Sequence, residues 1–266
     1  MLKTMPKAKK YWKIFSLSVI YNTRNYKALV GLSIFLITCL LIFSNLWQVA
    51  AQRMGATLFD PRQLLWYIAF NEWIILSIPE TATQMEIDLR SGKLAYLLPR
   101  PIPYLGAIFA EALGGLVVHL MVLGFVTFSF TWFSVGHFPL AWGPSLMSLG
   151  LGLLAGIIGI LFQMLIGLSA FWLQSIEPFE YVWEKLLFTL GGLMLPLSVY
   201  PEWLQTIAYW TPSSALLGQR SALVIDFSWS AAFKVFGLSI GWCLIATFGL
   251  LWLYRRGLRF LNIEGG

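Results

Sequence analysis

The stretch RSGKLAYLLPRPIPYL, from Arg90 to Leu105, separates two long apolar segments of the chain. It combines basic residues with a cluster of prolines, whereas the sequence on both sides is apolar over tens of residues. A chain that only crosses lipid needs no more than a short polar turn between two spans. This stretch therefore indicates a role beyond connecting two helices.

The composition places the chain among membrane proteins. Hydrophobic residues make up 58% and charged residues 11% of the sequence, and the mean hydropathy is +0.74. Charged residues are about a quarter of an average soluble protein. The net charge of +6 resides mostly at the ends of apolar segments, which excludes a nucleic-acid-binding surface. Cys39 and Cys243 lie inside apolar segments, so no disulfide framework is expected.

The apolar pattern predicts an all-α polytopic protein with six spans in a single membrane domain, residues 1–266. About 20 helical residues cross the roughly 30 Å hydrocarbon core. Residues 112–176 contain no charged side chain, which is too long for one crossing, and the turn residues of 136–139 divide that stretch. The predicted spans are 28–51, 63–83, 104–133, 143–173, 186–199 and 235–254.

The distribution of Lys and Arg sets the orientation of these spans. Fourteen of the 18 basic residues fall before the first span, between spans two and three, between spans four and five, or after span six. Cytoplasmic segments carry such an excess, so both termini are expected in the cytoplasm. Residues 10–26, within the N-terminal segment 1–27, mix aromatic and basic residues and predict an amphipathic helix on the cytoplasmic headgroups.

A second unusual region lies on the outer side, with the sequence LPLSVYPEWLQTIAYWTPSSALL at 195–217. Its apolar content is too high for a solvated loop, and its three prolines prevent one continuous helix. We expect a short spanning helix, a turn, and one or two short helices that dip back toward the bilayer. The residues that support this prediction are Pro196, Pro201, Trp203, Leu204 and Pro212.

Motifs for enzymatic chemistry are absent from the sequence. There is no Gly-rich phosphate-binding loop ending in Lys-Ser/Thr, no His/Cys cluster at metal-ligand spacing, and no recognisable nucleophile with its base. His119 lies inside a predicted span and His137 at a turn. We therefore expect a non-catalytic chain without a cofactor or metal of its own.

The segment 85–103 has the pattern of a docking element. Acidic and basic residues alternate with Ile and Leu, Gly92 interrupts the pattern, and three prolines follow. Proline fixes the backbone and ends a helix, so this element should be stiff and stand at an angle to its neighbours. A short amphipathic rod of this kind suits a groove in a soluble partner. The alternative is a plain cytoplasmic turn capped by charges.

This segment resembles the coupling helix of type-2 ABC export permeases, where an acidic residue, a Gly-containing turn and Leu-Leu-x-Arg-Pro recur between spans two and three. The region 195–217 is similar to the extracellular re-entrant helices of the same family. The resemblance implies that the following residues contact an ATPase: Glu86, Asp88, Arg90, Gly92, Lys93, Leu94, Leu97, Leu98, Pro99, Arg100 and Pro101.

The resemblance further implies an ATP-driven exporter of the bacterial inner membrane. In such an assembly two permease subunits, identical or homologous, pair above two copies of a separate P-loop ATPase, which carries the ATP and Mg. Closure of the ATPases would push on 86–101 and switch a central cavity between inward and outward access. The substrate, and whether the two permeases are identical, stay open at this point.

Ionisable residues inside spans mark candidate functional positions because they are costly in lipid. Glu72 lies near the middle of the second predicted span and could line the substrate path or bond a neighbouring helix. The Gly-x-x-x-Gly pairs at 152–156 and 237–241 allow close helix approach, within one subunit or between two permeases. An ion- or proton-coupled secondary transporter and a non-transporting scaffold subunit are the alternatives to the exporter.

Overall fold

The computed structural model describes residues 6–54, 60–99 and 102–264, and these residues form helices without a strand. Two single 3₁₀ turns, Ser169–Phe171 and Leu197–Val199, accompany the α-helices. The α-helices are α1 Lys7–Arg24, α2 Tyr26–Met54, α3 Pro61–Ser77, α4 Thr81–Arg90, α5 Lys93–Leu97, α6 Tyr104–Val135, α7 Trp142–Leu168, α8 Glu177–Thr189, α9 Glu202–Tyr209, α10 Pro212–Leu216, α11 Gly218–Ile225 and α12 Trp229–Glu264.

Four helices of the described part are long and apolar enough to cross a membrane. They cover Tyr26–Val49, Tyr104–Val135, Trp142–Phe171 and Trp229–Arg259, and they match four of the six predicted spans. The predicted spans 63–83 and 186–199 differ, because each is interrupted. At 1.5 Å per residue α3 is only about 25 Å long and α8 about 20 Å, which is less than the hydrocarbon thickness.

The predicted span 63–83 consists of two helices separated at Pro79. Proline disfavours helical angles at the residue before it, and Ile78 is extended, with φ −74° and ψ 121°. Neighbouring helices satisfy polar groups of this break. His119 Nδ1 of α6 lies 3.3 Å from the carbonyl oxygen of Ser77, and the N–H of Ala82 donates to Gln163 Oε1 of α7 at 3.2 Å.

The prediction of a helix over 186–199 is wrong. The helix here is α8, which begins earlier, at Glu177, and ends at Thr189. Gly192 then has φ +66°, a left-handed conformation that favours glycine, and Pro196 precedes the 3₁₀ turn. Apolar composition predicted a span here, but the backbone conformations of Gly192 and Pro196 do not allow the helix to continue.

Helix α3 forms the centre of the bundle. It is hydrophobic on all sides, and Trp66, Tyr67, Ile68 and Phe70 are at most 1% exposed. It packs against α2, α6, α7 and α11. The outward faces of α2 and α12 are apolar and exposed instead, for example Phe248 at 74%, as expected for surfaces that contact lipid or another subunit.

Helix α1 packs along the first third of α6. Ser18 Oγ donates to the carbonyl oxygen of Glu111 at 2.6 Å, and a Cβ placed on Gly114 would lie 2.6 Å from the Ser18 Cβ. Trp12 and Tyr21 of the same helix are both 69% exposed. The interfacial amphipathic role expected for this helix, and its depth in the headgroup region, stay predictions.

The two Gly-x-x-x-Gly pairs have different surroundings. A Cβ on Gly152 would lie 3.2 Å from Ile74 Cδ1, and one on Gly156 would lie 2.7 Å from Leu116 Cδ1, so this pair brings α7 close to α3 and α6. Nothing in the described part of the chain lies within 4 Å of a Cβ on Gly237 or Gly241. The first pair thus serves packing within the subunit, whereas the second faces outward on α12.

Candidate functional site

The predicted docking element consists of α4, α5 and the turn between them. Gly92, at the turn, has φ +69° and ψ 4°, a left-handed conformation that allows the chain to reverse direction between two short helices. Nothing in the described part of the chain lies within 4 Å of the position of its missing Cβ, so the backbone angle alone requires glycine here. The described part of the segment 85–103 thus contains two short helices rather than one, and its docking role stays a prediction.

Asp88 connects the parts of this element. Its carboxylate accepts from Lys93 Nζ at 2.7 Å and from the Tyr104 hydroxyl at 3.3 Å, which joins α4, α5 and the start of α6. Asp88 is 2% exposed, so its carboxylate is engaged inside the protein. Glu86 and Arg90 form a second ion pair of 3.1 Å along α4. A contact of Asp88 with an ATPase, which the resemblance implied, would have to replace these internal partners.

Some apolar residues of the element are buried and others are exposed. Met85 and Leu94, at 0% and 2% exposure, anchor it in the core formed with α6, α7 and α12. Ile87, Tyr96 and Leu98 are exposed at 60%, 79% and 42%, and we call these three residues the docking face. An exposed apolar group of this kind is typical of a surface that a partner covers.

The remaining residues that the resemblance predicts to contact an ATPase differ in their exposure. Lys93 is exposed apart from its ion pair, Leu97 is half-buried, and Pro99 is exposed. Arg100 and Pro101 lie outside the described residues. The structure therefore brings most of the predicted residues to one end of the bundle, but it separates those that fix the element from those that a partner could reach.

The start of α8 carries three acidic residues, Glu177, Glu180 and Glu184. The pKa of Glu180 is raised by burial first, and then by the carboxylates of Glu86, Glu184, Glu80 and Glu177. Burial and repulsion between like charges thus both disfavour the ionised form of Glu180.

A buried polar network attaches later segments of the chain to the middle of α3, and the sequence did not predict it. We call 190–199 and 218–225, which are predicted to lie on the outer side, the outer segments. Arg220 of α11 is 1% exposed and donates through Nη2 to the carbonyl oxygen of Phe70 at 2.6 Å and to Ser221 Oγ at 3.2 Å. Ser221 Oγ donates to Asn71 Oδ1 at 2.6 Å. These bonds join α11 to the middle of α3.

Asn71 and Tyr67 extend this network to the irregular segment after α8. Asn71 Nδ2 donates to the carbonyl oxygens of Gly192 and Leu193 at 3.2 and 3.0 Å, and the Tyr67 hydroxyl donates to the same Gly192 carbonyl. A Cβ on Gly218 would lie 2.7 Å from the carbonyl oxygen of Gly191, so α11 approaches this segment as closely as glycine permits. Hydrogen bonds and close packing thus connect three parts of the chain, which are α3 at residues 67 and 71, the segment 191–193, and α11 at residues 218–221.

Arg220 has no carboxylate partner among the described residues. Its guanidinium carbon lies 5.7 Å from the centre of the Phe70 ring, and Nη1 is buried without a hydrogen-bond acceptor. A buried cation is costly unless many bonds compensate it, and here backbone carbonyls and an aromatic face do so. The signal in the sequence was a basic residue within an apolar, Ser-rich segment on the outer side, where few basic residues occur.

The region 195–217 contains a 3₁₀ turn and two short helices, and the short spanning helix expected at its start is not there. Pro201 precedes α9, and Pro212 occupies the first turn of α10. Trp203 is 65% exposed, Leu204 is half-buried, and Pro196 precedes the 3₁₀ turn. Their position as re-entrant helices in a bilayer stays a prediction. Glu72 is 7% exposed on α3 and forms no ion pair within the described residues, and its role in a substrate path also stays a prediction.

The comparison with protein families defines the class of this chain. Residues 63–265 match the model of the ABC-2 family transporter protein, and the chain therefore belongs to that family. Members of this family are typically non-catalytic transmembrane subunits that work with an ABC ATPase. A comparison with curated protein sequences gives no significant match. The matched range contains α4, α5 and the Arg220 network and excludes α1 and α2.

Proposed function

We propose that this chain is the permease subunit of an ATP-driven exporter and that the α4–α5 element docks on a separate ATPase. The observation that carries the proposal is the docking face of Ile87, Tyr96 and Leu98 on an element held in place by Asp88. Exposed apolar side chains on a rigid support suit a partner that transmits force. Family membership supports the ATPase as that partner.

The contacts of α4 support a route by which a movement of the ATPase would reach the rest of the helix bundle. A Cβ on Gly167 would lie 2.8 Å from Met85 Cβ, so α4 and α7 pack closely. Beyond Pro79, α4 connects to α3, and α3 bonds to the outer segments through Asn71 and Arg220. A push on α4 would thus reach the outer end of the bundle through contiguous contacts. The proposed change is a shift between two packings.

The remaining parts of the proposal concern the assembly. Two permease subunits would pair above two ATPase copies that hold the ATP and Mg, in a bacterial inner membrane with both termini in the cytoplasm. The excess of Lys and Arg at the predicted cytoplasmic ends supports this orientation. The apolar outward faces of α2 and α12 provide surface for lipid and for the second permease.

The experiment is co-purification of this chain with its ATPase from native membranes, for the wild type and for Tyr96→Ala. Loss of the Tyr96 side chain should lower the amount of bound ATPase about tenfold, since exposed aromatic anchors contribute roughly 1–2 kcal/mol or more at interfaces. The matched control is Tyr209→Ala, a half-exposed tyrosine of α9 on the predicted outer side.

The outcomes separate the proposal from its alternatives. A stoichiometric P-loop ATPase that is lost with Tyr96→Ala and kept with Tyr209→Ala supports docking at α4–α5. A chain that is reproducibly isolated alone, with transport driven by an ion gradient, would identify a secondary transporter. A chain without ATPase or transport would identify a scaffold subunit.

A further inference from the structure

A cavity separate from the docking face and the Arg220 network lies between α1, the break at Pro79 and the start of α6. Its volume is about 450 Å³, within the range of small-molecule sites. One part of its wall is apolar and the other polar. The residues that matter for its chemistry are Leu17, Ser18, Asn22, Glu80, Ile108 and Glu111.

Two carboxylates line the polar part without a cationic partner. The ion pairs of the described residues are Glu86–Arg90 and Asp88–Lys93, and neither Glu80 nor Glu111 takes part in them. Both side chains contribute to the cavity wall, and no Lys or Arg does so. The wall itself therefore carries net negative charge, which favours a cation.

The wall contains both used and unused hydrogen-bonding groups: the Gln84 side-chain amide and the Tyr21 hydroxyl form no hydrogen bond within the described residues, whereas Asn22 and Ser18 bond internally. Asn22 Nδ2 donates to the carbonyl oxygen and Oγ of Ser18 at 2.9 and 3.2 Å, and Ser18 Oγ donates to the carbonyl oxygen of Glu111. These donors are used within the protein. The Asn22 Oδ1 atom and the two carboxylates accept no bond in the described part of the structure. A ligand that complements these groups must donate hydrogen bonds and be positively charged.

The apolar part of the cavity sets the second requirement. Ile108 is 6% exposed inside the cavity, whereas Leu17 and Tyr21 are 56% and 69% exposed at its rim on helix α1. An apolar body can therefore extend from the polar end toward the outward face of α1. Gly115 shapes the wall, because a Cβ there would lie 3.2 Å from Pro79 Cγ and 3.4 Å from Asn22 Nδ2.

From this geometry we propose that the cavity binds the ammonium group of an amphiphile, with Glu80 and Glu111 as its counter-charges. The ammonium could belong to a free organic cation or to the headgroup of a membrane lipid, since both present the same chemistry to the carboxylates. The proposal concerns binding to this chain alone and does not depend on docking of an ATPase.

The test measures binding of dansylcadaverine, a fluorescent primary ammonium, to the full chain in nanodiscs of phosphatidylglycerol, with empty nanodiscs as background. N-acetyl dansylcadaverine has the same apolar body without the charge and should bind at least tenfold more weakly. Glu80→Gln and Glu111→Gln should each raise the Kd about fivefold, as expected for half-exposed charge pairs. Glu202→Gln, on the predicted outer side, is the matched control and should leave the Kd unchanged.

A second arm distinguishes the two sources of the ammonium. If a lipid headgroup occupies the cavity, adding phosphatidylethanolamine to the nanodiscs raises the Kd of the probe for the wild type but not for the double Gln variant. If phosphatidylethanolamine has no effect while the Gln variants still weaken binding, the ligand is a free cation. Equal binding of the acetylated probe, or unchanged affinity in both Gln variants, would overturn the proposal. The acetylated probe tests it on the wild type, independently of how the variants fold.

Discussion

Replacing Asn71 by Ala should release the outer segments from α3. Asn71 is fully buried, and its side chain makes three hydrogen bonds, to the Gly192 and Leu193 carbonyls and with Ser221 Oγ. Ala keeps the helix intact, because it has the highest helix propensity. The variant therefore removes the connection between α3 and the segments after α8 with little local effect on α3 itself.

The magnitude follows from the three bonds that are lost. Side-chain hydrogen bonds between membrane helices contribute about 0.6 kcal/mol on average and about 1.7 kcal/mol at most. The Gly192 carbonyl keeps the Tyr67 hydroxyl as its donor, whereas the Leu193 carbonyl is left without one, which costs roughly 1–3 kcal/mol. A total loss of about 2–4 kcal/mol is expected, which increases the population of the opened outer segment about 30-fold or more.

Hydrogen exchange in detergent or nanodiscs measures this opening directly, at the amides of 190–199 and 218–225. The matched control is Asn45→Ala, because Asn45 is exposed on α2 and makes one bond, to the Leu41 carbonyl at 2.8 Å. The reasoning is refuted if Asn71→Ala changes exchange in these segments no more than Asn45→Ala does. Equal exchange would mean that apolar packing alone holds the outer segments on α3.

Three further predictions concern the docking element and α8. Asp88→Asn should weaken the bond to Lys93 and lower ATPase attachment, with a cost of about 1 kcal/mol because Lys93 is half-exposed. Gly92→Ala should destabilise the turn by roughly 1–2 kcal/mol, since φ is +69°, measured by thermal unfolding in detergent. The raised pKa of Glu180 in α8 means that ionisation opposes the folded state, so stability should fall as the pH rises above 4.5, and Glu180→Gln should make this fall smaller.

Two of these predictions have a control within the chain. Glu86→Gln breaks the ion pair with Arg90 along one helix, which should cost about 0.5 kcal/mol or less and so should lower stability less than Asp88→Asn does. Gly31→Ala adds a methyl where nothing lies within 4 Å in a helix, and it should be neutral or stabilising. If Gly31→Ala and Gly92→Ala have the same effect, the turn does not require a left-handed residue. A stability that rises with pH would contradict the explanation of Glu180.

The features that the sequence predicted are those set by local rules. The prolines and Gly92 predicted where helices end around the docking element, and the structure shows these ends. Aromatic and basic residues at helical spacing predicted α1, which is present as a helix. The four long apolar segments also appear as helices of sufficient length. In each case residues close together in the sequence determine the local structure, so these features can be predicted without the contacts between distant parts of the chain.

The features that the sequence did not predict depend on distant partners. Arg220 and Asn71 are 149 positions apart in the chain, and the Ser221 hydroxyl joins their elements only after folding. Asp88 was expected to face a partner, but Lys93 and Tyr104 hold it inside the protein. The span over 186–199 was predicted from apolar composition, which does not report that Gly192 adopts a positive φ. The type of a residue limits the groups with which its side chain can bond, but the fold determines which of these groups lies next to it.

The break at Pro79 explains how one crossing could both receive and transmit a displacement. A continuous helix would move as a rod, whereas α3 and α4 are separate helices whose junction is bonded to two neighbours, through His119 on α6 and Gln163 on α7. Non-helical backbone at membrane depth is stable only where protein supplies such partners. In the proposed mechanism, movement of α4 must therefore carry α6 and α7 with it or break these bonds. Both cases change the packing around α3, which the Arg220 network connects to the outer helices.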